Sequence, residues 1–130
     1  MLSVDGWILI WLTLDDWDVP SDTQRAVREL KSVIVDLGLD RDGSFDLVNR
    51  NGDHVLRVHL NQRREDGPLQ ACRELLDEVT RIAPGSFGVL FVRDADEPAQ
   101  TMQRFVMRRG RVVFEDDDVF NPNLPTDKAR

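Results

Sequence analysis

An α+β sandwich, with two helices packed on one face of a mainly antiparallel sheet of about six strands, is the fold this sequence predicts. Three observations carry it. Two stretches show apolar residues at helical spacing, and "SFDLVNRNGDHVLRVHL" between them is a hairpin with Asn51-Gly52 at its turn. The full order reads β-α-β-β-α-β-β-β, whose first six elements match the split βαβ pattern of ferredoxin-like folds, with a meander added. The first strand is apolar on both faces, which places it centrally in the sheet.

Each element has its own local warrant. "GWILIWLTL" (6–14) is β-branched and aromatic, with Trp7/Leu9/Trp11 on one side and Ile8/Ile10/Leu12 on the other; "DDWDVP" then breaks it. Ser21 and Gln24 form a capping box that opens the first helix, Val27, Leu30, Val33/Ile34 and Leu37 give its stripe, and Gly38 stops it. Pro68 suits the first turn of the second helix. Its buried stripe is Leu69, Cys72, Leu75/Leu76, Val79 and Ile82, and Pro84-Gly85 ends it. "SFGVLFVRD" is a strand, and "MQRFVMRRGRVVFE" is two more around Arg109-Gly110. Residues 117–130 hold two prolines and no periodicity, which predicts an extended or partly disordered tail on one domain spanning 1–130.

Composition bounds the function. A chain of 130 residues, 41% apolar and 32% charged, is an ordinary globular mix. Cys72 is the only cysteine, which excludes a disulfide framework or a cysteine zinc cluster. The net charge of −7 argues against nucleic acid or an anionic membrane as partner and favours a basic one. The apolar run 7–14 is too short to span a bilayer and follows Asp5 rather than a basic residue, so it does not read as a signal peptide. The expectation is a cytoplasmic protein.

No catalytic or cofactor constellation emerges. The stretch "APGSFGVLFVRDADE" (83–97) has the glycines of a phosphate loop in the wrong order: Pro84-Gly85 follows a helix and precedes a strand. Anions are held at helix N-termini, and here the loop meets a C-terminus. Asp94, Asp96 and Glu97 offer oxygens but no spaced fourth ligand, so no metal is expected. "DRDGSFD" (40–46) fails as a calcium loop, because aligning Gly43 leaves Gly38 and Asn49 at the carboxylate positions. His54 and His59, five apart on one strand, point to opposite faces. Cys72 on an apolar stripe predicts a buried, inert thiol. The chain reads as no enzyme and as needing no cofactor.

Surface character remains. All three tryptophans fall within residues 7–17, and the last sits in the acidic run Asp15, Asp16, Trp17, Asp18. A second run, Glu115, Asp116, Asp117 and Asp118, follows the final strand. A ring flanked by carboxylates suits a contact in which the ring anchors and the charges steer. Trp7 and Trp11 are expected in the core, and Trp17, in a polar loop, at a partner. These eight residues are the expected partner-binding set.

Gly6-Trp7, "APGSFGVLFVRDAD" (83–96), "FVMRRGRV" (105–112) and "NPNLPT" (121–126) together resemble the immunity protein 7 family of bacterial polymorphic-toxin systems. In that family a helix ends in Ala-Pro-Gly-Ser, a Phe/Tyr-Gly-x-Leu strand leads to Arg-Asp, and the chain closes on Ser-Pro-x-Ile-Pro-Thr. Asn121 stands where the family has serine and Asn123 where cysteine is frequent, while "HLNQRR" (59–64) keeps Asn61 with only one of the usual histidines. "DDWDVP" is particular to this chain. The resemblance implies an antitoxin-like inhibitor that binds a cognate toxin domain, often a nuclease, and protects the producing cell or its kin in bacterial competition. Gly6, Trp7, Pro84, Gly85, Ser86, Gly88, Arg93 and Asp94 carry the family motif and are expected to maintain the fold. The alternative is a small homodimeric or ligand-binding α+β module without a toxin partner. Sequence leaves open which face of the first strand the helices cover.

Overall fold

Strand β1 (Leu2–Leu9) occupies the interior of a six-stranded antiparallel sheet, between β3 (Asp53–Gln62) and β4 (Phe87–Asp94). β2 (Phe45–Arg50) forms one edge; β5 (Met102–Arg108) and β6 (Arg111–Asp116) extend the other, giving the order β2-β3-β1-β4-β5-β6. Helices α1 (Pro20–Asp36) and α2 (Pro68–Ile82) complete the α+β fold, with a short 3-10 turn at Arg64–Asp66 before α2. The first four strands run 2-3-1-4, the split βαβ order expected from the sequence, and the last hairpin adds to the β4 side. The computed structural model describes residues 1–14, 17–41, 44–99 and 101–120. Asp15, Asp16 and positions 121–130 of the expected tail lie outside them.

The core forms where the helices meet one face of the sheet. Leu2, Val4, Ile8, Leu56, Val58, Leu60, Leu90, Val92, Phe105 and Met107 point inward from the strands. Leu30 and Ile34 of α1 and Cys72, Leu75, Leu76 and Val79 of α2 close over them. Burial pushes the Cys72 thiol up to about 12, so it stays protonated and acts as a small apolar side chain. Among the described residues no helix covers the opposite sheet face, which settles the orientation of β1: Val4 and Ile8 face the helices, and Trp7 faces out.

Three local expectations change. The first strand begins at Leu2 and ends at Leu9, because Leu2 and Val4 bury completely and the ladder with β3 and β4 starts there. After Leu9 the chain continues extended but off the ladder. The Ile10 N–H donates to the His54 carbonyl (2.9 Å), the Trp11 N–H to Ser86 Oγ (3.1 Å), and the Leu12 and Thr13 N–H groups to Asp18 (2.8 and 3.0 Å). Side chains have replaced the neighbouring strand. Second, α1 has no capping box: Val19 is its N-cap without a side-chain bond, and Pro20 fills the first turn, where a missing N–H costs nothing. Third, Trp7 and Trp11 are not core residues; they remain 46% and 42% exposed on and beside the open face. Both hairpin turns form as read, with Asn51 and Gly52 at φ 54° and 89° and Arg109 and Gly110 at 52° and 75°.

The β1–β4 pair is joined more closely than side chains allow. A Cβ on Gly6 would fall 2.0 Å from the Val89 carbonyl oxygen, and one on Gly88 would fall 2.1 Å from that of Trp7. Each glycine lets the other strand's backbone approach. Gly6→Ala should therefore push the two central strands apart and cost about 3 kcal/mol, the upper part of the overpacking range, read as a drop in the urea midpoint. An unchanged midpoint would show that the ladder has slack.

Candidate functional site: the cleft at the tryptophan end of the sheet

Beyond the C-terminal end of β1, three segments converge on a cleft of about 750 Å³. The chain leaving β1 contributes Ile10, Trp11, Leu14, Trp17 and Asp18; the first turns of α1 contribute Pro20, Thr23 and Gln24; the β2–β3 turn contributes Asn49, Gly52, Asp53 and His54. Trp17 is 97% exposed at its mouth, and Leu14 and Val19 are exposed nearby. This puts three large apolar side chains in solvent within one short stretch of chain.

The loop carrying Trp17 is anchored at both of its described ends. Asp18 accepts from the Leu12 and Thr13 N–H groups and from the Thr13 hydroxyl (2.8 Å), folding the segment back on itself. Ser86 Oγ receives the Trp11 N–H and donates to the Trp11 carbonyl (3.3 Å). A Cβ on Gly85 would come within 2.0 Å of the Thr13 carbonyl oxygen. The Pro84-Gly85-Ser86 turn is thus a bracket for the 11–13 segment. Phe87 continues the bracket through its ring, meeting Trp11 edge-on at 5.1 Å and Trp7 at 6.4 Å.

The second acidic run lies elsewhere. Asp116 is level with Gln103, Val92 and Val4 across the sheet, near the start of β1, whereas Asp18 sits past its end. The strand between Val4 and Leu9 alone spans about 17 Å, so Asp18 and the second run lie toward opposite ends of the sheet. The Glu115–Asp118 acids are also tied to a cation. Arg104 reaches Glu115 (2.9 Å), Asp117 (3.0 Å) and Asp118 (3.5 Å). Asp117, expected at a partner, is instead 1% exposed and accepts from the backbone N–H groups of Val119 (3.2 Å) and Phe120. Its role is to turn the chain so that the Phe120 ring meets Phe91 edge-on at 5.8 Å.

Of the motif pair that follows β4's apolar stretch, Arg93 is exposed, while Asp94 accepts from Arg64 Nε (3.1 Å) and from the Asp96 N–H (3.0 Å). The Arg64 guanidinium, helped by that backbone N–H, holds the Asp94 carboxyl below its ordinary value of 3.8. Among the described residues no three His, Cys, Asp or Glu side chains gather as a metal cluster. The histidines part as expected: His59 contacts Asp5 on the open face, and His54 lines the cleft.

Asp53 and Leu14 carry no functional signal in the sequence, and His54 is read there only as failing to pair with His59. The Asn-Gly turn announced a hairpin, but its meeting with Trp17 depends on β3 pairing with β1. Arg104 likewise gave no local signal, since its three partners lie eleven to fourteen positions away.

An α+β sandwich with its most exposed described ring beside a cleft, on a segment held by a turn of small residues, has the form of a binding module. The family model of immunity protein 7 matches residues 1–128, nearly the whole chain. The chain belongs to the immunity protein 7 family, whose members are immunity proteins of toxin systems and are generally not enzymes. No curated protein and no solved structure matches it. Among the described residues no helix is long and apolar enough to cross a membrane.

Two stability measurements follow from these contacts. Arg104→Ala should leave Asp117 buried with only its backbone donors and cost about 2–3 kcal/mol; a loss below about 0.5 kcal/mol would reduce the Arg104 cluster to a surface ion pair. Asp94, held low in the native state, stabilises the fold fully above its ordinary value, and that contribution fades as pH falls through the lower native one. The gap in urea midpoint between wild type and Asp94→Asn should therefore be wide at about pH 6 and narrow by about pH 2.5. A gap independent of pH would contradict the pairing.

Proposed function

We propose that the chain neutralises a cognate toxin domain, a basic effector of nuclease type, by docking the cleft end of its sheet over the effector's active site or substrate groove. It works in the cytoplasm as a binder, without a reaction of its own. The single observation that carries the surface assignment is Trp17, almost fully solvated at the mouth of a cleft and presented by an anchored loop. A ring so placed gains most when a partner covers it: burying a tryptophan removes roughly 150–250 Å² from water, about 4–6 kcal/mol gross before association costs. Asp15, Asp16 and Asp18 flank this ring in sequence, and the net charge of −7 draws a basic partner from a distance. Glu115, Asp116 and Asp118 add to that long-range field from the far end, partly offset by Arg104.

A second reading, self-association, is favoured by one observation. The uncovered sheet face exposes Trp7 and Val113, with Val89 and Val106 level between them. Sedimentation of the purified chain distinguishes the two, since a monomer at micromolar concentration excludes a stable homodimer.

The test is co-expression with a cognate toxin domain: cells making the toxin should survive only when this chain is made as well. In the purified pair, Trp17→Ala should weaken binding by about 2 kcal/mol or more, near thirty-fold, and the association rate should fall several-fold between about 10 and 150 mM salt. Full protection with no loss on Trp17→Ala would move the interface elsewhere, and a salt-independent association rate would remove the steering.

A further inference from the structure

We propose that the cleft is a socket for a cationic side chain, an arginine, supplied by the partner; this deepens the docking reading above and rests on it for its biological role. Its lining combines two indole rings, Trp11 and Trp17, with two carboxylates, Asp18 and Asp53, and the apolar side chains of Ile10 and Leu14. Guanidinium is the side-chain group that uses all three: it stacks flat on an indole, donates to carboxylates and brings an apolar stem.

The charge balance of the cleft points the same way. Among the described residues no Lys or Arg lines it, although the chain has 17 of them. Most other carboxylates with a close partner have an arginine: Asp22 with Arg25, Asp46 with Arg57, Asp77 with Arg73 and Asp94 with Arg64. Among the described residues, Asp18 and Asp53 have no basic partner within 4.0 Å, and Asp18 accepts only from the Leu12 and Thr13 N–H groups and the Thr13 hydroxyl. Arg50, opposite Asp53 in the hairpin ladder, does not line the cleft. The two carboxylates therefore face the cleft with no described cation beside them, Asp18 being held by neutral donors alone.

One feature of the site opposes a cation. The N-terminus of α1 forms part of the wall, and its partial positive charge amounts to about half an elementary charge. Two full carboxylates outweigh it. His54 also lines the cleft. The volume of about 750 Å³ leaves room for the side chain and part of the segment carrying it.

The test needs no toxin. Acetyl-glycyl-arginyl-glycinamide is titrated into the full chain with ¹⁵N-labelled indoles at low salt, beside the norleucine and glutamate analogues. The Trp11 and Trp17 indole signals should move with the arginine peptide, saturating near about 1 mM, while Trp7, on the open sheet face, stays still as an internal control. Asp53→Asn, at an exposed hairpin position, should weaken the arginine peptide about three- to five-fold, and Trp17→Ala should abolish the Trp11 shift. Equal shifts with norleucine would overturn the preference for a cation. No shift at either ring, or an equal shift at Trp7, would overturn the socket. Failure here leaves protection in co-expression to be judged separately, and failed protection with intact arginine binding would sink the neutralisation reading alone.

Discussion

The close approach of backbone to backbone where β1 meets β4 is the constraint on which the rest of this molecule depends. Gly6 and Gly88 each face a carbonyl oxygen of the other strand at a distance where no side-chain carbon fits. A few residues away, Gly85 does the same against Thr13, and Ser86 bonds both polar backbone groups of Trp11. These contacts draw the two central strands together, set the register that buries Leu2, Val4, Ile8, Leu90 and Val92, and carry the chain past the end of the sheet in one fixed path. The Pro-Gly-Ser stretch that resembles a phosphate loop on paper is a bracket. It binds its own chain.

The motif residues Gly6, Gly85, Ser86 and Gly88 lie in the bracket, and the chain that leads to Trp17 begins where the bracket ends. The loop can change its side chains without disturbing the strands, because its attachment runs through backbone groups and Asp18 rather than through the ring that faces solvent.

Charge in this protein does two different jobs that a count of acids does not separate. Around Arg104, carboxylates are spent on order: Asp117 is buried, turns the chain and seats Phe120 on Phe91. Around the cleft, Asp18 and Asp53 have no basic neighbour among the described residues, and Asp18 ties down the loop through neutral donors. The same residue type meets a cation at one end of the sheet and backbone donors at the other. Partner geometry decides which, and it is set by strands far apart in sequence.

From residues alone came the order of the elements, both hairpin turns, the stripes of the two helices, the central place of β1 and the family. Each rests on local chemistry: periodicity, the positive φ of Asn-Gly and Arg-Gly, proline at a helix start, and a contiguous motif. The tertiary structure alone decided which face of β1 is covered, that Trp7 and Trp11 stay half-solvated, that Asp117 is buried, and that Asp53 and His54 meet Trp17 across a cleft. The physical reason is pairing. A strand's side chains alternate by themselves, but which face finds helices and which neighbour lies opposite are settled only when the sheet orders its strands 2-3-1-4-5-6.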